Sequence, residues 1–407
     1  MEMEKEKIKT GLVLPGGGAR GAYQIGVLKA IAELLPEKRK NPFSVISGTS
    51  AGAVNAVVLA AEAERFSHAV DQLIKVWGSI KSHQVYKSDN WTMLKSTMHW
   101  FTAIVFGGYP FGLPRSLLDN SPLRKLLADN IQCEQVQSSI DKGFIDAVSV
   151  VAAGYSSSRS TSFFQANQRT EEWSRTRREG VRCSLNLDHL MASLALPLIF
   201  PPVLIDGLYY GDGAMRQATP LSSAIHLGAN RILVIGVNNE GSKNNEHLVQ
   251  EKSQILSPTF PQIAGYMLDT LFMDGLYSDL EQIMRINFLV DKLSSENKSI
   301  NDKDIHPIDT MVVAPSKNLR DLAHECRHTL PLPIRALFRG VGGKNHRGTD
   351  QLISFLLFEQ LYTNSLIELG FKDAMAVKNN LLDFILGNDV PRLFIPNWLN
   401  IRVTNEK

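Results

Sequence analysis

Three short stretches of this 407-residue chain carry residue types that can do chemistry. Gly16-Gly17-Gly18-Ala19-Arg20-Gly21 offers consecutive backbone amides. Gly48-Thr49-Ser50-Ala51-Gly52 offers a hydroxyl between small neighbours, and Gly211-Asp212-Gly213-Ala214 offers a carboxylate flanked by glycines. Gly-x-Ser-x-Gly between a strand and a helix is a nucleophile elbow, a turn so tight that only small neighbours fit. Gly48 and Gly52 supply that room. Ser50 would then project beside the N-terminus of the next helix, whose positive end favours a developing oxyanion.

The glycine run admits two readings. As Gly-x-Gly-x-x-Gly after a first strand it fits a dinucleotide cradle, which calls for an acid at the end of the second strand. That strand ends in Ser47-Gly48-Thr49-Ser50, with no acid. The other reading is an oxyanion hole, in which Gly16, Gly17 and Gly18 aim their N–H groups at one point and Arg20 adds positive charge nearby. A plain tight turn would need no serine elbow at the neighbouring strand end.

A serine hydroxyl needs a base, most often a histidine oriented by an acid. Six of the ten histidines follow Asp212: His226, His247, His306, His324, His328 and His346. None sits in a recognisable loop after a late strand, and His226 falls within a helix-like run. Asp212, at a strand end between two glycines, is the better candidate. A carboxylate is a weak base for a hydroxyl, so geometry, desolvation and the oxyanion hole must supply much of the activation. Asp206-Gly207 reads as a hairpin turn, and Asp274-Gly275 sits inside a helix pattern.

The elements that must position these residues follow from hydrophobic periodicity. Thr10 to Leu14 and Phe43 to Ser47 are short apolar runs that read as buried parallel strands. Tyr23, Val27, Ile31 and Leu34 recur at spacings of 4, 4 and 3, one helix face. Ala53 to Glu64, rich in alanine and valine, is a helix that can lie close on a sheet. Phe66 to Ile80 is an amphipathic helix, and Asp119-Asn120-Ser121-Pro122 reads as a helix start. Ile145 to Ala153 is a strand with Ser162 to Ala166 as a partner. Leu187 to Leu196 is helical, Val203 to Ile205 and Leu208 to Tyr210 form a hairpin, Leu221 to Leu227 is helical and Arg231 to Val237 is a strand. Alternating strands and helices predict a three-layer α/β/α fold with a mostly parallel central sheet. Trp91 to Leu113 mixes aromatics with glycine and proline, as a loop or cap over a site or an irregular packing segment would. Arg169 to Arg182, with five arginines and three glutamates around Trp173, reads as a solvated face.

Beyond Asn238 the texture changes, and no catalytic motif is recognisable there. Pro261 to Leu289 and Gln351 to Glu368 read as helices, Met311 to Ala314 as a strand and Asp291 to Asp304 as a loop. Residues 8–237 are therefore expected to form the catalytic domain, and 238–407 a mostly helical extension packing on or capping it.

Composition narrows the function classes. Apolar residues make up 44% and charged residues 21%, enough for a sizeable core. A net charge of +2 gives no electrostatic argument for nucleic acid. Cys133, Cys183 and Cys326 are few and scattered, as buried hydrophobes in a reducing compartment would be, and no metal or cofactor is expected. The charged N-terminal stretch lacks a signal-peptide core, and prolines interrupt the longest apolar run, Met191 to Ile205. A cytoplasmic protein is expected, with peripheral contact as its mode of membrane association.

Taken together the motifs resemble those of the patatin-like phospholipases. That family's pattern is a Gly-Gly-Gly-x-Arg/Lys-Gly loop, a Gly-x-Ser-x-Gly elbow and an Asp-Gly-Gly or Asp-Gly-Ala motif. All three stand here in that order, over roughly residues 10–237. The resemblance implies a serine–aspartate dyad with Ser50 as nucleophile and Asp212 as base, followed by Gly213 and Ala214. It implies that Gly16, Gly17 and Gly18 form the oxyanion hole in the loop closed by Gly21, and that Arg20 supports that loop. It also implies a lipid substrate, with phospholipid as the leading class and neutral lipid as the alternative.

Overall fold

The computed structural model describes residues 8–36, 40–87, 116–216, 221–239, 260–295, 306–336 and 346–399. The aromatic segment Trp91 to Leu113 lies outside them. So do most of the polar residues after Asn238 and residues 296–304 of the expected loop.

Apolar strand residues alternate between two cores, as a sheet covered on both sides requires. Leu12, Leu14, Leu233, Ile235, Met311 and Val313 join one core. Val13, Ile232, Val234 and Val312 join the other. The first core lies under many helices, among them Ala22–Leu34, Ala51–Ala61, Phe66–Ser79 and Gln360–Ala376. The second lies under Ser222–His226 and part of the long helix Phe260–Ser295. The fold is thus three-layered with a mostly parallel central sheet.

The strands of the described residues are β1 (Thr10–Leu14), β2 (Val45–Thr49), β3 (Ala147–Gly154), β4 (Ser160–Ala166), β5 (Trp173–Ser174), β6 (Arg178–Arg182), β7 (Val203–Ile205), β8 (Leu208–Asp212), β9 (Arg231–Ile235), β10 (Asp309–Val313) and β11 (Leu393–Phe394). They run in the order β11-β10-β9-β1-β2-β3-β4-β6-β5. From β11 to β3 every neighbour is parallel. β4 turns back antiparallel on β3, and the hairpin β7–β8 joins β3 at its C-terminal end. Residues after 238 add β10 and β11 to this sheet. They also lay helix Gln360–Ala376 on helix Ala22–Leu34, close enough that a Cβ on Gly26 would stand 2.0 Å from the Ile367 carbonyl.

Local differences from the periodicity have physical causes. Gln351 to Glu368 is two helices, His346–Leu356 and Gln360–Ala376. The break buries Leu357 and Phe358 and lets Ser82 Oγ donate to the Phe358 carbonyl (3.2 Å). Phe260–Ser295 runs past the expected end at Leu289, because Val290 continues its buried face. The arginine-rich run folds in part, as the hairpin β5–β6, and Arg182 donates to the Ala166 carbonyl (2.8 Å).

Candidate active site

β2 is buried along its whole length and stops at Ser50, which begins helix Ala51–Ala61. Ser50 holds φ 52° and ψ −126°, a backbone region that side chains rarely adopt. Such strain persists only where the surroundings over-determine it. The glycines are part of that constraint: a Cβ on Gly48 would stand 2.3 Å from the Gly52 carbonyl, and one on Gly52 2.0 Å from the Leu14 carbonyl. Ser193 supplies another part. Its Oγ accepts the Ser50 N–H (2.8 Å) and donates to the Val151 carbonyl (2.6 Å). Ser193 has no place in the sequence reading; its one signal is a lone hydroxyl in the apolar run Leu190 to Leu196.

Asp212 meets the elbow through strand register. β2 pairs with β3 as far as Thr49 opposite Val151. β8 then takes over the same edge of β3 from the opposite direction, with Asp212 opposite Ala152. β4 occupies the other edge over Ala147 to Ala153, so the strand end at Thr49, just before Ser50, and Asp212 arrive head-on opposite adjacent β3 residues. Gly213 permits this approach, since a Cβ there would lie 2.3 Å from the Val151 carbonyl. The Asp212 N–H donates to the Ala195 carbonyl (2.8 Å), and Oδ1 accepts the Ala214 N–H (2.9 Å).

The carboxylate of Asp212 is fully buried. Burial raises its pKa from 3.8 to about 7, against the opposing pull of the Ser50 hydroxyl and the Ala214 N–H. The hydroxyl lies close enough to favour the charged form, yet among the described residues Oδ2 has no partner at ordinary hydrogen-bond geometry. A buried acceptor with an open lone pair beside a serine hydroxyl is placed to take its proton.

Gly18 borders the same cavity as Ser50. It holds φ +53°, and a Cβ would come within 2.3 Å of the Phe355 carbonyl. Gly21 faces the elbow directly, with a notional Cβ 2.8 Å from Ala51 Cβ. Gly17 packs on Val237. The Arg20 guanidinium turns away from the serine and is buried. Its Nε and one terminal nitrogen donate to Ser354 Oγ at 2.9 and 2.7 Å, and it lies 3.8 Å from the Phe355 ring centre. Arg20 thus ties the glycine loop to helix His346–Leu356.

A buried polar chain steadies the same loop. Trp77 Nε1 donates to Asn55 Oδ1 (2.9 Å), Asn55 Nδ2 to Gln24 Oε1 (2.9 Å) and Gln24 Nε2 to the Pro15 carbonyl (2.9 Å). The sequence reading missed it, since its members lie on three separate helices and meet only in the fold.

Gly18, Ser50 and Ala51 border a narrow cavity of about 50 Å³. Its walls are apolar, with Trp77, Leu127, Phe200 and Phe358 among them. A larger open groove of about 1100 Å³ lies at the other end of the sheet, by Ser44, Asp146 and Gly228, and holds none of these residues. Gly16 does not border the cavity.

Among known proteins, the patatin-like phospholipase family model matches residues 12–225. A 54-residue stretch is 48% identical to lysophospholipase nte1 of Aspergillus terreus, covering 13% of this chain and 3% of that protein. The structure of VipD from Legionella pneumophila aligns with a TM-score of 0.29 at 14% identity, over 94% of this chain and 78% of that one. Human GIVD cytosolic phospholipase A2 in complex with methyl gamma-linolenyl fluorophosphonate aligns with a TM-score of 0.39 at 13% identity, over 93% of this chain and 58% of that one.

Proposed function

The chain belongs to the patatin-like phospholipase family, and on that premise we propose that it is a serine esterase cleaving fatty-acyl esters of phospholipids. Ser50 attacks the ester carbonyl and passes its proton to Asp212 Oδ2. The oxyanion forms against backbone N–H groups of the Gly16–Gly18 loop, of which Gly18 borders the same cavity as the serine. The alcohol or lysophospholipid leaves with a proton, and water then releases the fatty acid from the acyl-enzyme, with Asp212 again as base. The carbonyl end of the acyl chain enters the narrow apolar cavity beside Ser50.

The observation that carries this reading is the head-on meeting of Ser50 and Asp212 across β3, with Asp212 Oδ2 buried and open. The dinucleotide reading of Gly16 to Gly21 finds no comparable support. The loop is buried, Gly18 lies under the Phe355 carbonyl, and the adjoining cavity is apolar. No helix of the described residues is long and apolar enough to cross a membrane. We assign residues 238–407 to the same functional unit, because Phe355 borders the cavity and Ser354 holds Arg20.

Incubation with a fluorophosphonate should label Ser50, and the protein should release fatty acid from phosphatidylcholine or lysophosphatidylcholine. A folded protein that neither labels nor turns over any acyl ester would end this reading. Release from triacylglycerol alone would move the substrate to neutral lipid.

A further inference from the structure

The turns at the Ser50 end of the sheet share an unusual surface. β3 ends at Gly154, and residues 155–159 lead back into β4. β6 is parallel to β4, so the β5–β6 turn at residues 175–177 lies at that same end. β8 pairs Tyr210 with Gly154, so the rest of the β7–β8 hairpin projects past the end of β3.

These tips expose large apolar side chains. Leu204 is 54% exposed, Tyr209 42%, Leu208 40% and Tyr155 45%. Leu204 and Tyr209 are cross-strand partners, so they share one face of the hairpin. Tyr155 lies beside them, its N–H donating to the Tyr209 carbonyl (3.0 Å). The neighbouring loop repeats the pattern: Leu194, Leu196 and Phe200 line the acyl cavity, whereas Leu198 is 66% exposed and held at φ +66°. A leucine kept outward in a strained conformation marks a site where exposure serves a purpose.

The charges at this end of the sheet are mainly positive. The tips carry Arg159, Arg175 and Arg177 against Asp206. Arg159 pairs with Glu179 (3.0 Å), whereas Arg175 and Arg177 are exposed and, among the described residues, have no side-chain partner. Tyrosines and leucines rimmed by arginines match an anionic lipid interface, where the rings sit at headgroup level and each cation is attracted by the surface potential.

We propose that the tips at residues 155–159, 175–177 and 204–209, with Leu198, form a docking surface for an anionic lipid bilayer that presents Ser50 to its substrate. The inference rests on the lipid-hydrolase reading and names the surface on which that chemistry takes place.

The test uses Ser50→Ala protein, so that binding is read without turnover. It is sedimented with phosphatidylcholine vesicles and with vesicles that also contain phosphatidylserine. Binding should favour the anionic vesicles, and Leu204→Glu and the pair Arg175→Glu/Arg177→Glu should each weaken it roughly tenfold or more. All three positions are exposed, so far-UV circular dichroism and thermal unfolding should match the parent and serve as the folding control. With Ser50 restored, both variants should hydrolyse a short water-soluble ester at the parent rate but lose phospholipid hydrolysis on anionic vesicles. Equal vesicle binding by parent and variants, or no binding by the parent, overturns the proposal. So does sedimentation velocity showing that Leu204→Glu disrupts self-association and leaves vesicle binding intact. A parent that binds vesicles and cleaves no ester would refute the hydrolase and leave the docking surface standing.

Discussion

The two glycine turns meet at one serine and are held there by different means. At the elbow, Gly48 is confined by Gly52, and Gly52 by the neighbouring strand end at Leu14. The glycine loop is confined from far along the chain. Gly18 lies under the Phe355 carbonyl, and Arg20 is tied to Ser354, 334 positions away. The glycine packing of the elbow is thus built by the first βαβ segment, with Ser193 added from 143 positions away, whereas the glycine loop is completed only when the C-terminal helices pack on it. A glycine substitution at either turn should cost stability, and one at the loop should also cost activity by moving its amides.

The largest effect is expected from Ser50→Ala, which should abolish fluorophosphonate labelling and lower kcat by about 10⁴-fold or more while the protein stays folded. Gly52→Ala comes next. Its new Cβ has only backbone to displace, and we expect a loss of about 3 kcal/mol or more of stability, or no folded protein, by chemical denaturation. Gly18→Ala should cost both stability and activity. Its Cβ meets the buried Phe355 backbone at a positive φ, so a stability loss of about 3 kcal/mol or more is expected here too. The displaced amide should cost about 10²-fold or more in kcat with KM little changed. Ser354→Ala removes the hydroxyl that accepts twice from buried Arg20 and should cost roughly 1–3 kcal/mol. If it leaves kcat untouched, the C-terminal helices do not tune the loop. Ser193→Ala should be mildest in stability, about 1 kcal/mol, because a single serine anchors the strained Ser50 amide.

Asp212 adds a pH test of the elbow side. Its folded pKa, about 7, lies above the ordinary 3.8. The protonated form therefore stabilises the fold fully below about pH 4, and that contribution is lost as pH rises through 7. Asp212→Asn should consequently be more stable than the parent at pH 8, by on the order of 2–4 kcal/mol, with the gap closing toward pH 4. Thermal unfolding of both proteins across pH reads this directly.

The same contrast explains what the sequence made legible. Gly48, Ser50 and Gly52 are readable because their constraint is local: a strand, a turn and a small-residue helix stand side by side in the chain. Asp212 is readable as a motif, but its approach to Ser50 depends on β8 replacing β2 along one edge of β3, a register that periodicity does not contain. Arg20 reads as a nearby charge until Ser354 and Phe355 are placed beside it. Ser193 and the Trp77–Asn55–Gln24 chain are invisible, because these residues lie on separate helices and meet their partners only in the fold. The arginine run reads as a solvated face, and only strand order sets Arg175 and Arg177 at the same end of the sheet as Leu204 and Tyr209, with β3 and β4 between them.

The most direct measurement is the rate at which a fluorophosphonate labels the protein as a function of pH, with the site located by peptide mass mapping, in the parent and in Asp212→Asn. A Ser50–Asp212 dyad predicts label on Ser50 alone, a rate that rises as pH passes through about 7, and in the variant a slow rate without that step. Label on another residue, or Asp212→Asn reacting at the parent rate with the same pH profile, would contradict it.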